Sequence, residues 1–238
     1  MLKNNFHFSF FIFQLIFLFL LFSACKTNKI QLAGKFENCD KHYMLLNKIE
    51  PDEVVFLDTV LLHDGTFHHS IKTEEIGIYL LKYNDSTLLS FIAQHGDKLV
   101  FSGDASDLNR TYNIQGNEET QLLLETRRKL DSFYDKTKSW TATFLQHKYK
   151  DDFMQTNAYL DSLYYQEFDA HKEYLTQFIY KNRGKLAALL AFYQKIGVNA
   201  FFDEQKDRAL LQEIYNGLVL TYPNSIYVAD LKEKLEKE

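Results

Sequence analysis

Two cysteines are the first residues of this chain whose chemistry suggests a function. Cys25 follows a long apolar run and precedes a polar one, whereas Cys39 lies in the turn-like segment "FENCDKH". A nucleophilic cysteine needs a histidine base and an orienting carboxylate, and His42 and Asp40 are the nearby candidates for Cys39. Because a short turn between strands seldom gives such neighbours that geometry, we expect Cys39 to occupy an ordinary turn or strand edge.

A histidine-rich turn is the second candidate site. His63, Asp64, His68 and His69 surround an Asp-Gly pair, and Asp-Gly between apolar runs predicts a tight hairpin turn. His63 and His68 flank the turn and could reach one transition-metal ion. Successive strand residues point to opposite faces, so at most one of His68 and His69 can face His63. We therefore favour a solvated hairpin tip over a metal site.

The residues before Cys25 suggest a different role for this cysteine. Lys3 supplies a positive charge, residues 6–22 are mostly apolar, and the small residues Ser23 and Ala24 immediately precede Cys25. A charged start, an apolar stretch and small residues before a cleavage point are typical of a secretory signal.

The segment "LFSAC" resembles the lipobox of bacterial lipoproteins, with Phe22 where that pattern prefers leucine. The resemblance implies a lipoprotein signal peptide over residues 1–24, fatty acylation of Cys25, palmitate included, and a short tether over residues 25–29. Several acyl chains anchor a protein durably, because each buried methylene contributes about 0.8 kcal/mol and one chain alone is marginal. Cys25 is therefore expected to attach the chain to a membrane.

Two further questions concern this anchor: which membrane face it occupies, and whether it is a lipid or a transmembrane helix. Lipoproteins of the bacterial cell surface in Bacteroidota often carry an acidic run after the cysteine, which "KTNKI" lacks, so we expect the periplasmic face of the outer membrane. The alternative anchor is an uncleaved transmembrane helix over residues 6–24, which at roughly 19 residues is long enough to span a bilayer. Both alternatives place the remainder outside the cytoplasm and tethered to a membrane.

Short alternating or apolar segments separated by turn sequences follow from residue 30 to residue 116. The turns include "HDG", "NDS" and "HGD", which are typical strand boundaries. The predicted strands cover residues 30–36, 42–49, 53–62, 66–71, 76–83, 87–94, 98–103 and 110–116. We predict an antiparallel β-sandwich of about seven strands over residues 30–116, with an open barrel as the alternative.

The pattern becomes helical over residues 117–238. Asn117 is a candidate N-cap, and the two glutamates after it suit the positive end of a helix. An apolar stripe at helical spacing comprises Leu160, Tyr164, Phe168, His171, Leu175 and Phe178. Further helices are predicted over residues 184–196, 203–220 and 225–238. The expected fold class is α+β, with the N-terminal sandwich followed by a C-terminal helical bundle.

Composition and motif content exclude several function classes. The net charge of −5 and the interspersed charges do not match a nucleic-acid-binding surface. Two cysteines are too few for a disulfide-dense scaffold or a four-cysteine zinc site. The sequence has no glycine-rich phosphate loop, nucleophile elbow or H-E-x-x-H motif. Asp97 and Asp104 are expected to stabilise turns and not to form a catalytic pair. Because none of these patterns points to a reaction, we expect neither a cofactor nor enzymatic activity.

The strand region resembles domain of unknown function 4369, which is found in Bacteroidota lipoproteins. The resemblance is carried by "IQLAGKF", "MLLNKI", "FLDTVLLHDGTFHHSI", "IYLLKYND", "LSFIAQHGDKLVFSGDASDL" and "YNIQGNEETQLL", and it covers roughly residues 30–125. In many members a helical spacer and a thioredoxin-like domain with a Cys-x-x-Cys pair follow. This sequence contains no Cys-x-x-Cys pair, so the redox chemistry of those relatives is not expected here.

We therefore expect a membrane-anchored envelope lipoprotein that acts as a non-catalytic binding or scaffolding module for an envelope protein partner. The alternative is a redox accessory that lacks its own thioredoxin domain and docks a partner oxidoreductase. The tyrosine-rich segment 158–174 could be a binding surface, but tyrosines at helical spacing more often line a core. Trp140 is expected to pack between helices.

Overall fold

The computed structural model describes residues 28–237, which begin with a region of strands. The strands are β1 (Lys29–Glu37), β2 (Tyr43–Ile49), β3 (Val54–Leu61), β4 (Thr66–Lys72), β5 (Gly77–Asn84), β6 (Thr87–Ala93), β7 (Lys98–Asp104) and, after a short helix, β8 (Asn113–Gln115). They form two four-stranded sheets, which we call sheet 1 (order β4-β1-β7-β8) and sheet 2 (order β3-β2-β5-β6). Neighbouring strands are antiparallel except β1 and β7, which are parallel.

The two sheets enclose one apolar core. Inward residues alternate with outward ones along the strands, as in β1, where Ile30, Leu32 and Phe36 are buried. An aromatic group fills the centre, because Phe91 packs edge-on against Phe101 and stacks on the ring of Tyr79. The predicted sandwich is therefore confirmed, and the fold is α+β.

The Asp-Gly turn is present, but the strands on either side of it do not pair as a hairpin. Asp64 and Gly65 have φ values of 48° and 72°, as a tight turn of this type requires. Within the described residues the only backbone pairing between the two sides is the bridge between His63 and Thr66. Beyond it β3 continues into sheet 2 and β4 into sheet 1. The hairpin prediction was wrong because a local turn signal does not specify which sheet each strand joins.

The last predicted strand is also shorter than expected. Residues 110–116 were predicted as one strand, but the chain first forms a short helix, α1 (Leu108–Thr111), and then β8. Asp104 ends β7 and begins the turn that leads into this helix, because its carboxylate accepts hydrogen bonds from the backbone N–H and the hydroxyl of Ser106. Burial of Leu108 fixes the short helix against the sandwich core.

Helices dominate the remainder of the chain. They are α2 (Glu118–His147), α3 (Phe153–Asn182), α4 (Leu186–Phe192), α5 (Arg208–Thr221) and α6 (Ile226–Glu236), with a two-residue-strand pair, β9 (Lys195–Ile196) and β10 (Asn199–Ala200), between α4 and α5. The Asn117 side chain caps α2 by accepting from the Thr120 N–H, as predicted. In the apolar stripe of α3, Leu175 and Phe178 belong to the helical core, Tyr164 and Phe168 pack against it, and Leu160 and His171 are also buried.

Two predicted helices have different bounds in the structure. The helix predicted over residues 184–196 ends at Phe192, and the turn between β9 and β10 places Gly197 at a φ of 59°. The helix predicted over residues 203–220 begins at Arg208, because the Asp203 carboxylate accepts hydrogen bonds from the Gln205 and Lys206 N–H groups and holds a separate turn there.

The helical bundle packs on one end of the outer face of sheet 2. Ile78 and Ile92 are cross-strand partners on this face and belong to the same buried cluster as the helices, and Ile49 packs against it. The hydroxyl of Tyr227 in α6 donates to the Ile49 carbonyl (2.6 Å) and accepts from the Ile78 N–H (2.9 Å). Sheet 2 and the bundle therefore share a core, although the sequence pattern changes between them.

Candidate functional site

The outer face of sheet 2 is covered at one end only. From the exposed end of the isoleucine row under the helices, a group of exposed apolar side chains continues over β2, β3 and β6. We call this group the apolar face; it comprises Tyr43, Val54, Phe56, Leu61 and Leu88. Tyr43, Phe56 and Leu61 expose 54%, 57% and 63% of their surface. Register places these residues on the same side, since Tyr43 pairs with Leu61 and Ile49 with Val54.

Strand β3 borders the apolar face and forms an edge of sheet 2. Within residues 28–237 it pairs with β2 alone, so the backbone groups along its other edge have no strand partner. A bulge opposite Leu46 and Asn47 interrupts the ladder. An exposed edge strand with apolar side chains is a template for pairing with another chain, and a bulge is one of the devices that limits uncontrolled pairing.

The opposite edge of sheet 2 is closed by helix α2. The Thr120 hydroxyl accepts from the Ile92 N–H (3.1 Å) and donates to the Ile92 carbonyl (2.7 Å). The Asn117 amide donates to the same carbonyl. Of the two edge strands of this sheet, β6 thus has partners from the start of α2 for the backbone of Ile92, whereas β3 is left open.

A polar cleft of about 430 Å³ lies between the edges formed by β3 and β4. Lys48 points into it and pairs with Glu50 (3.1 Å) and Glu75 (3.5 Å). Burial acts to lower the pKa of Lys48, but the hydrogen bond and charge of Glu50 and the charge of Glu75 outweigh burial and raise the pKa. Lys48 therefore stays protonated at neutral pH and is unsuited to act as a nucleophile or a base.

The other polar groups of this cleft are also held in hydrogen bonds. The Tyr79 hydroxyl donates to Thr73 Oγ1 (3.2 Å), and burial raises the pKa of Tyr79. His69 points inward, and its Nε2 lies 3.5 Å from Asp58 Oδ2. The cleft contains fixed charges and neutral hydroxyls, so its chemistry suits binding of a polar group better than proton transfer.

Cys39 lies at the edge of the sandwich in contact with Tyr83, not with His42. Its Sγ is 3.7 Å from the Tyr83 hydroxyl, which in turn donates to Asp40 Oδ1 (3.2 Å). Burial, together with the hydrogen bonds and charges of Cys39 and Asp40, raises the pKa of Tyr83. In the described residues no hydrogen bond joins Cys39 to His42, so the arrangement required of a cysteine nucleophile is not assembled.

The histidines of the turn do not all lie on one face. His63 lies at the turn, and His68 faces outward from sheet 1, opposite Ala33. His69 faces the interior cleft, so His68 and His69 occupy opposite faces, as predicted from the alternation of strand residues. Within residues 28–237 no group of three or more histidine, cysteine or carboxylate side chains could hold a metal ion.

The remaining residues singled out from the sequence have structural contacts. Asp97 accepts from the Gln94 N–H and from the Asn117 amide, as expected for a turn carboxylate. Trp140 packs against the helical core, with its ring 6.5 Å from that of Phe133. In segment 158–174, Tyr164 and Tyr174 pack against the same core, while Tyr159 and Tyr165 face solvent.

Glu119 is a buried residue whose role sequence analysis missed. It is predicted to favour the start of its own helix, but its carboxylate accepts from the Leu186 and Ala187 N–H groups (3.1 and 3.0 Å) at the start of α4 and from the Tyr222 hydroxyl (2.9 Å). Burial raises its pKa, although these hydrogen bonds oppose the shift. Glu119 ties three helices together, and its place at a helix start gave no signal for these distant contacts.

Cys25 and residues 6–24, which carry the predicted anchor, lie outside the described residues. The described chain begins at Asn28, whose carbonyl accepts from the Thr73 N–H beside the start of β1. Among the described helices none has the length and apolar content needed to cross a membrane.

Comparison with known proteins identifies the strand region. Residues 30–123 match the family model described as Domain of unknown function (DUF4369), as the sequence resemblance predicted. The match spans both sheets and the first turns of α2. No curated protein and no solved structure matches the chain.

Proposed function

We propose that this chain, whose residues 30–123 form a DUF4369 domain, is a lipid-anchored protein of the cell envelope that binds an extended apolar segment of a protein partner along β3. The observation that carries the proposal is the exposed apolar face beside the open edge of β3. The chain acts as a binding module and not as an enzyme. Its anchor is Cys25, and its location is the periplasmic face of the outer membrane.

Strand addition is the binding mode that suits this surface. A partner segment in extended conformation would pair its backbone with the free edge of β3, and its alternate side chains would lie over Val54, Phe56 and Leu61. Backbone hydrogen bonds supply affinity in such complexes, and the side-chain contacts supply selectivity. Scattered exposed apolar residues are normal in soluble proteins, but here they share one face and adjoin an unpaired edge.

The anchor is tested by fatty-acid labelling of the full chain. Labelling with a palmitate analogue is expected at Cys25 and is expected to disappear in Cys25→Ala, because the thiol is the acyl acceptor. Persistent labelling in that variant would contradict the lipid anchor. Cys39→Ala is the matched control and should label as the parent does.

The partner surface is tested by photo-crosslinking in native envelopes. A photoreactive residue at Phe56 is expected to give one adduct of defined mass, whereas the same residue at Leu145, exposed on α2, should give none. Hydrogen exchange of the β3 amides is expected to slow when the adduct partner is bound, because a new strand would occupy the free edge.

Two charge variants distinguish specific binding at the apolar face from non-specific association of exposed apolar residues. Leu61→Lys is expected to reduce the adduct at Phe56 at least tenfold, and Leu145→Lys is expected to leave it unchanged. Equal adducts at Phe56 and Leu145, or an adduct insensitive to Leu61→Lys, would overturn the proposal. An adduct partner with a Cys-x-x-Cys thioredoxin-like domain would favour a redox accessory role for this binding module.

A further inference from the structure

The outer face of sheet 1 is polar and carries a cluster of lysines at one end. Its outward positions include Lys29 and Lys35 on β1, Lys72 on β4 and Lys98 on β7, and all four side chains are exposed. Cross-strand register places Lys29 directly opposite Lys72, and Gln31, two residues along the same side of β1, opposite Lys98. We call Lys29, Lys72 and Lys98 the basic end of sheet 1.

Within the described residues these lysines have no carboxylate at ion-pairing distance, although Glu74 lines the same surface pocket as Lys29 and Lys72. None of the four forms an ion pair within the described residues, in contrast to lysines such as Lys48 and Lys185. Like charges directly opposite one another destabilise a sheet, so the pair of Lys29 and Lys72 is a cost to the isolated fold. An anionic surface placed against this end would remove that cost.

Charge changes sign along the strands of sheet 1. At the far end of the same face, Glu37 and Asp104 are cross-strand partners. Because β1 contains 9 residues, Lys29 and Glu37 lie about 26 Å apart at the usual strand rise. The sheet therefore has a basic end and an acidic end, and the chain enters at the basic one.

The distance to the proposed anchor is short. Cys25 precedes Asn28 by three residues, and three extended residues span at most about 11 Å. An acyl chain on Cys25 would therefore hold Lys29 and its cross-strand neighbours close to the lipid headgroups. Lys35, six residues further along β1, would lie about 20 Å more distant.

We infer that the basic end of sheet 1 docks on the headgroups of an anionic phospholipid surface and so sets the orientation of the molecule on its membrane. This inference rests on the lipid anchor of the proposed function. Each lysine near such a surface contributes a factor of about five to the population of the docked state. Screening confines the effect to about 8 Å at physiological ionic strength.

Acidic residues at the same end of the domain determine which sheet tilts toward the membrane. Glu74 lies beside Lys29 and Lys72. Asp52 and Glu53 belong to the loop between β2 and β3, which is part of sheet 2 and lies about 10 Å away across the sandwich. Docking through the lysines of sheet 1 therefore tilts that sheet toward the lipid, and the acidic loop and the open edge of β3 remain turned away from it.

Lysine footprinting of the full acylated chain in vesicles tests this orientation. The purified protein is reconstituted in phosphatidylcholine, or in an equal mixture of phosphatidylcholine and phosphatidylglycerol, and amine labelling is quantified by mass spectrometry. Labelling of Lys29, Lys72 and Lys98 is expected to be at least fivefold slower in the anionic vesicles, and high salt should restore it. Lys35 and Lys195 serve as internal controls whose rates should not change.

Matched variants show whether the protection of Lys29 arises from charge or only from closeness to the membrane. The double variant Lys72→Gln/Lys98→Gln is expected to remove most of the protection of Lys29, whereas Lys35→Gln is expected to retain it. Protection that is equal in neutral and anionic vesicles would overturn the inference in favour of contact between copies of the chain. Equal labelling of all lysines on an acylated, vesicle-bound chain would overturn docking alone, and an unacylated Cys25 would overturn both docking and the anchor.

Discussion

The two sheets of the sandwich bury similar inner faces and have very different outer faces. On sheet 2 the outward positions are largely apolar; the helical bundle covers one end and leaves Phe56 and Leu61 exposed at the other. On sheet 1 the outward positions are mostly charged or polar, and the apolar exceptions on β1 and β7 are the cross-strand partners Ala33 and Val100. The difference lies in every second residue of the strands, since the other half fills a shared core.

This contrast assigns different interactions to the two sides of the domain. Apolar outward residues gain free energy when an element covers them, whether a helix of the same chain or a strand of a partner. Charged outward residues lose hydration when they are covered by an apolar element, so they remain at a wet surface or face opposite charge. Our two proposals follow this contrast: sheet 2 would contact a protein partner, and sheet 1 would face water or an anionic surface.

The largest expected effect comes from removing an apolar contact under the helices. Ile92→Ala is expected to destabilise the protein by about 2–5 kcal/mol, because this fully buried side chain leaves a cavity between sheet 2 and the bundle. Val100→Ala, on the outer face of sheet 1 and 51% exposed, should change stability by less than about 0.5 kcal/mol. Urea unfolding measures both, and equal costs would remove the distinction between the two faces.

The next effect concerns the hydroxyl that fixes α6 to sheet 2. Tyr227→Phe is expected to cost about 1–3 kcal/mol, since it leaves the Ile49 carbonyl and the Ile78 N–H buried without their partner. Thermal unfolding is the measurement, with the exposed Tyr159→Phe as control. A neutral Tyr227→Phe would mean that the bundle is held on the sheet by apolar contacts alone.

The pH dependence of stability distinguishes the buried His171 of the helical bundle from the exposed His68 of sheet 1. Burial lowers the pKa of His171, and the positive charge of Lys129 lowers it further. The hydrogen bond to Gln194 and the negative charge of Glu167 act in the opposite direction and only partly offset this shift. The unfolded chain therefore takes up a proton near the ordinary histidine pKa of about 6.5 that the folded chain resists, so the free energy of unfolding should fall as pH drops below that value.

Substitution shows which histidine is responsible for that dependence. His171→Gln is expected to flatten the slope of stability between neutral and mildly acidic pH, because the buried titrating group is gone. His68→Gln, on the exposed face of sheet 1, should leave the slope as it was. Denaturant unfolding at several pH values measures the slope, and an unchanged slope in His171→Gln would contradict the role of burial.

The smallest effect lies in the lysine pair of sheet 1. Lys72→Gln is expected to stabilise the protein in solution by a few tenths of a kcal/mol at low salt, because Lys29 then faces a neutral partner. The gain should vanish at high salt, where the repulsion is screened. Lys35→Gln is the control, since Lys35 lies opposite Thr66, and a gain of the same size there would point to net charge as the cause.

Much of the fold follows from local patterns. Alternation predicted the strands that form the sandwich, and the cap at Asn117 located the change from strands to helices. The turn at Asp64 was also predicted, but the sheets joined by its two flanking strands were not. Strand pairing depends on which edges are free when distant segments meet, and no property of a two-residue turn specifies that.

The candidate surfaces divide in the same way between sequence and tertiary structure. The residues before Cys25 predict an anchor, and the charge composition predicts no nucleic-acid surface, because both predictions depend only on the kinds and order of residues. Only the fold placed Tyr227 on Ile49, Glu119 at the start of α4, and Lys29 opposite Lys72. Those neighbours are distant in the chain, so the contacts between them arise from strand register and helix packing and are not encoded in any short segment.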